Sequence, residues 1–79
     1  MTIRVAVLGA AGRMGSTTAQ AVRDADGLEL VAELDAGDDV SALAGSVDVA
    51  VDFTVPSSTE ANVHALLDAG IHAVVGTTG

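Results

Sequence analysis

IRVAVLGAAGRMG, residues 3–15, decides the fold. Its first part, Ile3 to Leu8, is short, β-branched and apolar apart from Arg4. Such a run suits a strand of a parallel sheet covered on both faces. Its second part, Gly9 to Gly15, sets three glycines at intervals of three. A helical period then begins. From Arg13 to Asp26, Met14, Thr18, Ala21, Val22 and Ala25 fall on one helical face, and Gly27 stands as the stop. Strand, glycine turn and helix in that order open a βαβ unit.

The rest of the chain repeats the alternation. Leu28 to Leu34 (LELVAEL) reads as a second strand and Val47 to Phe53 (VDVAVDF) as a third. Between them, Val40 to Ala44 is a short helix or an irregular connection. A second helix is expected near Ser57, because Pro56 pre-sets its entry and Ser57 with Glu60 has the capping-box spacing. Val63, Leu66 and Leu67 are its expected buried stripe and Gly70 its end. Ile71 to Val75 (IHAVV) is a fourth strand, followed by Gly76-Thr77-Thr78-Gly79. The series implies an α/β, Rossmann-like, doubly wound parallel sheet with helices on both faces. The expected strand order is 3-2-1-4, which sets the fourth strand beside the first and puts two glycine-bearing loops across one crevice.

Composition narrows the partners. The chain has 79 residues, 11 acids, three bases and a net charge of −8. The bases are Arg4, Arg13 and Arg23, and the sequence pI is about 4.1. Such a chain repels nucleic-acid backbones and anionic membrane surfaces. Hydrophobic residues make up 49%, too many for a disordered chain. No cysteine is present, so neither a disulfide framework nor a cysteine zinc site is expected. His64 and His72, far apart and away from the expected carboxyl ends of strands, make no metal site. Without a signal-peptide core or a run long enough to span a bilayer, a cytoplasmic protein is expected.

Four segments carry candidate chemistry. In the first loop, Gly9 permits a tight turn, Gly12 lets a pyrophosphate approach the backbone, and Gly15 lets the helix lie close to the sheet. The free N–H groups of the helix start favour phosphate, and Arg13 is the one base there. The spacing is G-x-x-G-x-x-G, one residue longer than the commonest fingerprint, and a glycine-rich turn without ligand is the alternative. Asp35 follows the second strand, twenty residues after Gly15. A carboxylate there accepts ribose hydroxyls and repels a 2′-phosphate, which tilts the reading toward NADH, or toward dual use with Arg13 compensating; a solvated loop acid beside Asp38 and Asp39 is the other possibility. At the end of the third strand, Phe53 either borders the cofactor's path or fills the core, and Asp52 is favoured as a helix-capping or loop-fixing group over a catalytic acid. Gly76, Thr77 and Thr78 form a small-residue loop able to approach a planar ring.

GAAGRMG, AELDAG, VDFTVP and HAVVGTTG, in that order, resemble the N-terminal domain of the 4-hydroxy-tetrahydrodipicolinate reductase (dihydrodipicolinate reductase) family, across essentially the whole chain. The resemblance implies a reductase using NADH and/or NADPH to transfer hydride to a cyclic dicarboxylate in lysine and diaminopimelate biosynthesis. It implies cofactor contacts from Gly9, Ala10, Ala11, Gly12, Arg13 and Met14, from Asp35, and from Gly76, Thr77 and Thr78, with Thr78 also reaching substrate. The family's catalytic segment, HHxxKxDxPSGTA, has no counterpart here. Residues 1–79 are therefore expected to be a partial dinucleotide-binding domain, with catalytic residues downstream of Gly79 and a second, substrate domain absent. The parent protein would be a homotetramer and the isolated chain inactive, with an uncovered sheet edge. Other readings are an extended short-chain dehydrogenase or epimerase, a CoA-binding domain, or a non-catalytic nucleotide-sensing module.

Overall fold

The most apolar strand is the central one. In the computed structural model, which describes residues 2–35, 38–54 and 56–76, β1 (Ile3–Leu8) runs through the middle of a four-stranded parallel sheet. Val5, Ala6, Val7 and Leu8 are all buried, as expected of a strand covered on both faces. α1 (Arg13–Asp24) follows, then β2 (Leu28–Leu34), a single 3₁₀ turn (Val40–Leu43), β3 (Val49–Asp52), α2 (Pro56–Asp68) and β4 (His72–Val75).

The strand order is β2-β1-β3-β4, not the expected 3-2-1-4. β3 lies beside β1, pairing Val5 to Leu8 with Val49 to Asp52, and β4 lies outside β3. Two features account for this. β2 alternates apolar residues with exposed Glu29, Val31 and Glu33, a pattern that suits a sheet edge. At the other side, Arg4 and Asp48 clamp the starts of β1 and β3. The Arg4 guanidinium and backbone N–H both donate to the Asp48 carboxylate, and the Asp48 N–H donates to the Arg4 carbonyl at 2.8 Å. These bonds hold the Asp48 carboxyl below the usual aspartate range and raise the Arg4 guanidinium further.

The two faces are covered by different helices. Ala6, Leu8 and Ala50 pack with Leu66 and Ile71 from the α2 side and Leu43 from the 3₁₀ turn. Val7 and Ala10 pack with Ala19 of α1. The register of β2 against β1 shifts between Val5 and Ala6. Leu30 therefore packs on the α1 face, and Ala32 and Leu34 on the α2 face.

Helix faces differ from the expectation in detail. α1 ends at Asp24 and buries Gly15, Ala19 and Val22, whereas Met14 is 60% exposed and Ala21 is exposed. Small residues win because this helix lies against the loop backbone, where a methionine has no room. In α2, Leu66 is fully buried and Leu67 is 60% exposed. The helix closes on Gly70, at φ +76°, in a Schellman arrangement: Ile71 N–H donates to Leu66 C=O and Gly70 N–H to Leu67 C=O. Leu66 and Ile71, the two apolar ends of that motif, meet in the core. The helix begins at Pro56, one residue before the expected start, and the Ser57 side chain lies outside the described residues.

Candidate functional site

All four parallel strands end at the same side of the sheet, and a cleft of about 330 Å³ opens there at the ends of β2, β1 and β3. Strand order sets its walls. Asp35 and Asp38 stand at the β2 end, Gly9 and Gly12 at the β1 end, and Phe53 and Thr54 at the β3 end. Ser58 and Asn62, one helical turn apart on α2, close the side. The crevice lies where the chain reverses its winding, between β1 and β3, which is where ligands of such sheets bind.

The three glycines of the first loop have separate physical roles. Gly9 has φ +79°, and a Cβ there would lie 3.0 Å from the Phe53 carbonyl carbon and oxygen. It both makes the turn and lets the loop touch the backbone after β3. A Cβ on Gly15 would lie 2.0 Å from the Gly9 oxygen, so the start of α1 sits directly on the loop. Gly12 is different. A Cβ there meets the Gly9 oxygen at 3.4 Å, an ordinary contact, and otherwise points into open space beside the cleft.

The loop's amides divide into two sets. The N–H groups of Gly9 and Ala10 donate to Leu34 C=O at 2.7 and 3.2 Å, and that of Gly12 to Gly9 C=O at 3.1 Å. The Ala11 N–H donates to Asp35 Oδ1 at 3.0 Å. These bonds tie the end of β2 to the loop. The N–H groups of Arg13, Met14 and Gly15 take no acceptor among the described residues. The α1 start carries no side-chain cap and no acid in its first turn. A helix terminus in that state presents unpaired donors and a partial positive charge.

Charge reinforces the arrangement. Arg4 is engaged by Asp48 and Arg23 by Glu33. Among the described residues Arg13 makes no ion pair, and it stands at the first position of α1. At the opposite wall, the Asp38 carboxylate accepts the Asp35 N–H at 2.8 Å, and the Asp38 N–H donates to Asp35 C=O at 3.1 Å. Both carboxylates are thereby held at the cleft.

The residues expected from the sequence distribute as follows. Gly9, Gly12 and Asp35 line the cleft together. Ala10 turns inward onto Val7 and Ala19, so it serves the core. Ala11 serves Asp35 through its amide, and Arg13 and Met14 offer amides unpaired among the described residues, with the Met14 side chain in solvent. Gly76 lies at the same end of the sheet, its N–H on Asp52 C=O at 2.8 Å. It does not face the first loop directly, because β3 intervenes. A Cβ on Gly76 would lie 2.3 Å from the Phe53 ring, so the ring stands between the two glycine loops. Thr77 and Thr78 fall outside the described residues. Thr54 and Asn62 were not among the expected site residues. The i, i+4 spacing of Ser58 and Asn62 was the available signal: it places two polar groups on the same face as Leu66, one end over the core and the other at the cleft. Among the described residues no cluster of three or more His, Cys, Asp or Glu is placed to hold a metal, and no helix is long and apolar enough to cross a membrane.

Comparison with known proteins agrees with this geometry. The chain is 90% identical over 79 residues to the 4-hydroxy-tetrahydrodipicolinate reductase of Beutenbergia cavernae, covering all of this chain and 32% of that protein. It is 54% identical over 80 residues to the same-named protein of Corynebacterium efficiens, again covering 32% of its length. The chain thus spans about a third of the curated relatives it matches. Among solved structures, a dipicolinate-bound dihydrodipicolinate reductase from Paenisporosarcina sp. TG-14 superposes with a TM-score of 0.88 at 28% identity, covering 100% of this chain and 38% of that one. Aspartate semialdehyde dehydrogenase II of Vibrio cholerae, at 20% identity and a TM-score of 0.66, shares the fold. A family profile described as dihydrodipicolinate reductase, N-terminus, matches residues 3–79, and the chain belongs to that family.

Proposed function

We propose that this chain is the cofactor-binding part of a reductase that converts 4-hydroxy-tetrahydrodipicolinate to tetrahydrodipicolinate in lysine and diaminopimelate biosynthesis. The observation that carries the reading is the uncapped start of α1. There, three N–H groups and an arginine that are unpaired among the described residues adjoin the open side of Gly12, which lines the cleft. A pyrophosphate fits this donor set.

When bound, the nicotinamide supplies the hydride, and the chain's own part is to hold and orient it. The amides of Arg13, Met14 and Gly15, with the Arg13 guanidinium, would take the diphosphate, and the Asp35 carboxylate the adenosine ribose. Phe53 and Thr54 would border the other half of the cofactor, beyond Gly9. Gly76, Thr77 and Thr78 are assigned to the nicotinamide side, and Thr78 also to the substrate's carboxylate. The Paenisporosarcina reductase binds dipicolinate, a planar dicarboxylate, and a cyclic dicarboxylate is the substrate class assigned here.

NADH is the preferred cofactor. Asp35 and Asp38 both stand at the adenosine end of the cleft, and two carboxylates repel a 2′-phosphate. The remaining assignments rest on the family: residues 1–79 as part of the dinucleotide-binding domain, catalytic residues and a substrate domain in the longer protein, a homotetramer, and a cytoplasmic location.

Fluorescence titration tests the reading. The chain binds NADH, binds NADPH at least fivefold more weakly, and turns over no substrate alone. Equal affinity for the two cofactors would refute the role of the carboxylates. Failure to bind either, in a folded chain, would refute the assignment of the cleft.

A further inference from the structure

Asp52 ends β3 and is fully buried, 0% exposed, with no place in the cleft lining. Its Oδ1 accepts both the backbone N–H of Thr54, at 2.7 Å, and the Thr54 hydroxyl, at 2.5 Å. The Thr54 hydroxyl oxygen in turn accepts from Asn62 Nδ2 at 3.1 Å. Asp52 Oδ2 is buried and has no hydrogen-bond partner among the described residues. A buried carboxylate with an oxygen unpaired burdens the fold, so stability does not account for this residue. What it does hold is the wall of the cleft: Thr54 and Asn62 both line it, and the Phe53–Thr54 backbone is the surface against which Gly9 packs.

We infer that Asp52 is a positioning residue that sets the third-strand wall of the cleft through Thr54, and thereby governs binding of the nicotinamide half of the cofactor and not the adenosine half. The inference rests on the nucleotide reading above. The order β2-β1-β3 lays Asp35, the glycine loop and Thr54 in sequence along the cleft. With the adenosine ribose at Asp35, the far half of the dinucleotide falls at Thr54.

ADP, which lacks the nicotinamide half, separates the two ends. Asp52→Ala weakens NADH binding at least tenfold and leaves ADP within twofold of the unaltered chain. Asp52→Asn, which keeps an Oδ1 acceptor for Thr54, stays within threefold for NADH and melts no lower than the unaltered chain. Thr54→Val loses NADH affinity as Asp52→Ala does, and the double variant is no worse than either. In the ligand-free state, Asp52→Ala shifts the NMR signals of the Thr54 amide and the Asn62 side-chain amide, with those of Gly12 and Asp35 in place.

An equal loss for ADP and NADH overturns the inference, as do undiminished NADH binding and additive losses in the double variant. If Asp52→Ala does not fold, Thr54→Val decides, and intact NADH binding there overturns it. If the unaltered chain binds neither ADP nor NADH, the nucleotide reading falls first. The ligand-free spectra then decide separately, and unmoved Thr54 and Asn62 signals overturn the coupling itself.

Discussion

Replacing Gly15 with alanine puts one methyl group where the structure has none to spare. The added Cβ would lie 2.0 Å from the Gly9 oxygen, 2.7 Å from the Gly9 carbonyl carbon and 2.9 Å from the Ala10 Cα. All three are backbone atoms, so no side chain can swing aside. Restoring an ordinary contact of 3.4 Å needs a separation of about 1.4 Å between helix and loop. Overpacking of this kind costs about 2–3 kcal/mol when both sides are backbone. Alanine's better helix propensity offsets about 0.5–1 kcal/mol of that. The net loss of about 1–2.5 kcal/mol lowers the melting temperature of so small a domain by roughly 4–20 °C. NADH binding falls as well, because the displaced turn carries the amides of Arg13 and Met14.

Gly12→Ala is the control that separates packing from ligand access. Its Cβ meets only the Gly9 oxygen, at 3.4 Å, and Gly12 has φ −76°, which alanine adopts without strain. This variant melts within about 3 °C of the unaltered chain yet binds NADH at least tenfold more weakly, about 1.4 kcal/mol or more. Circular dichroism melts and NADH titration read both variants. A Gly15→Ala chain that melts within 3 °C and binds normally would refute the packing argument, and a Gly12→Ala chain that keeps its affinity would refute the access argument.

Further outcomes follow from the same geometry. Leu66→Ala, at a fully buried site, costs about 2–5 kcal/mol by urea unfolding, while Leu67→Ala, at 60% exposure, stays within about 0.5 kcal/mol; similar losses at both would refute the assigned helix face. Asp48 titrates lower in the folded chain than in the unfolded one because Arg4 bonds to it. Its contribution is therefore complete above the unfolded value of about 3.9 and is lost as pH falls through the folded value. Asp48→Asn accordingly flattens the acid limb of the stability curve below about pH 4, and an unchanged limb would show that Arg4 does not act on it. Asp35→Ser weakens NADH binding and narrows the gap to NADPH, measured by competition titration; a widened gap would remove Asp35 from the ribose site.

The elements were legible because each is written in local chemistry. β1 and β2 coincide with the runs IRVAVL and LELVAEL, and α1 begins at Arg13, within the glycine segment, as its period indicates. The roles of Gly9 and Gly15 also follow from spacing alone, since a turn off a strand and a helix pressed to that turn need those residues wherever the sheet lies. The cleft's β2 and β1 walls were equally legible, in Asp35 and the glycine loop. Its third wall was not. Thr54 became a lining residue only when β3 settled beside β1, and Asn62 only when α2 was laid over that strand.

Sequence alone settled which segments form strands and helices, since backbone preference and apolar period act over a few residues at a time. Tertiary structure decided which strands are neighbours. That choice depends on contacts between residues dozens of positions apart, such as Arg4 with Asp48, and no local pattern reports them. It also decided which face of each helix is buried. Hydropathy marks Met14, Leu66 and Leu67 alike, but the space beneath each helix admits Gly15 and Leu66. Where the room between two backbones is fixed by their packing, volume outweighs hydrophobicity, and volume is a property of the assembled fold.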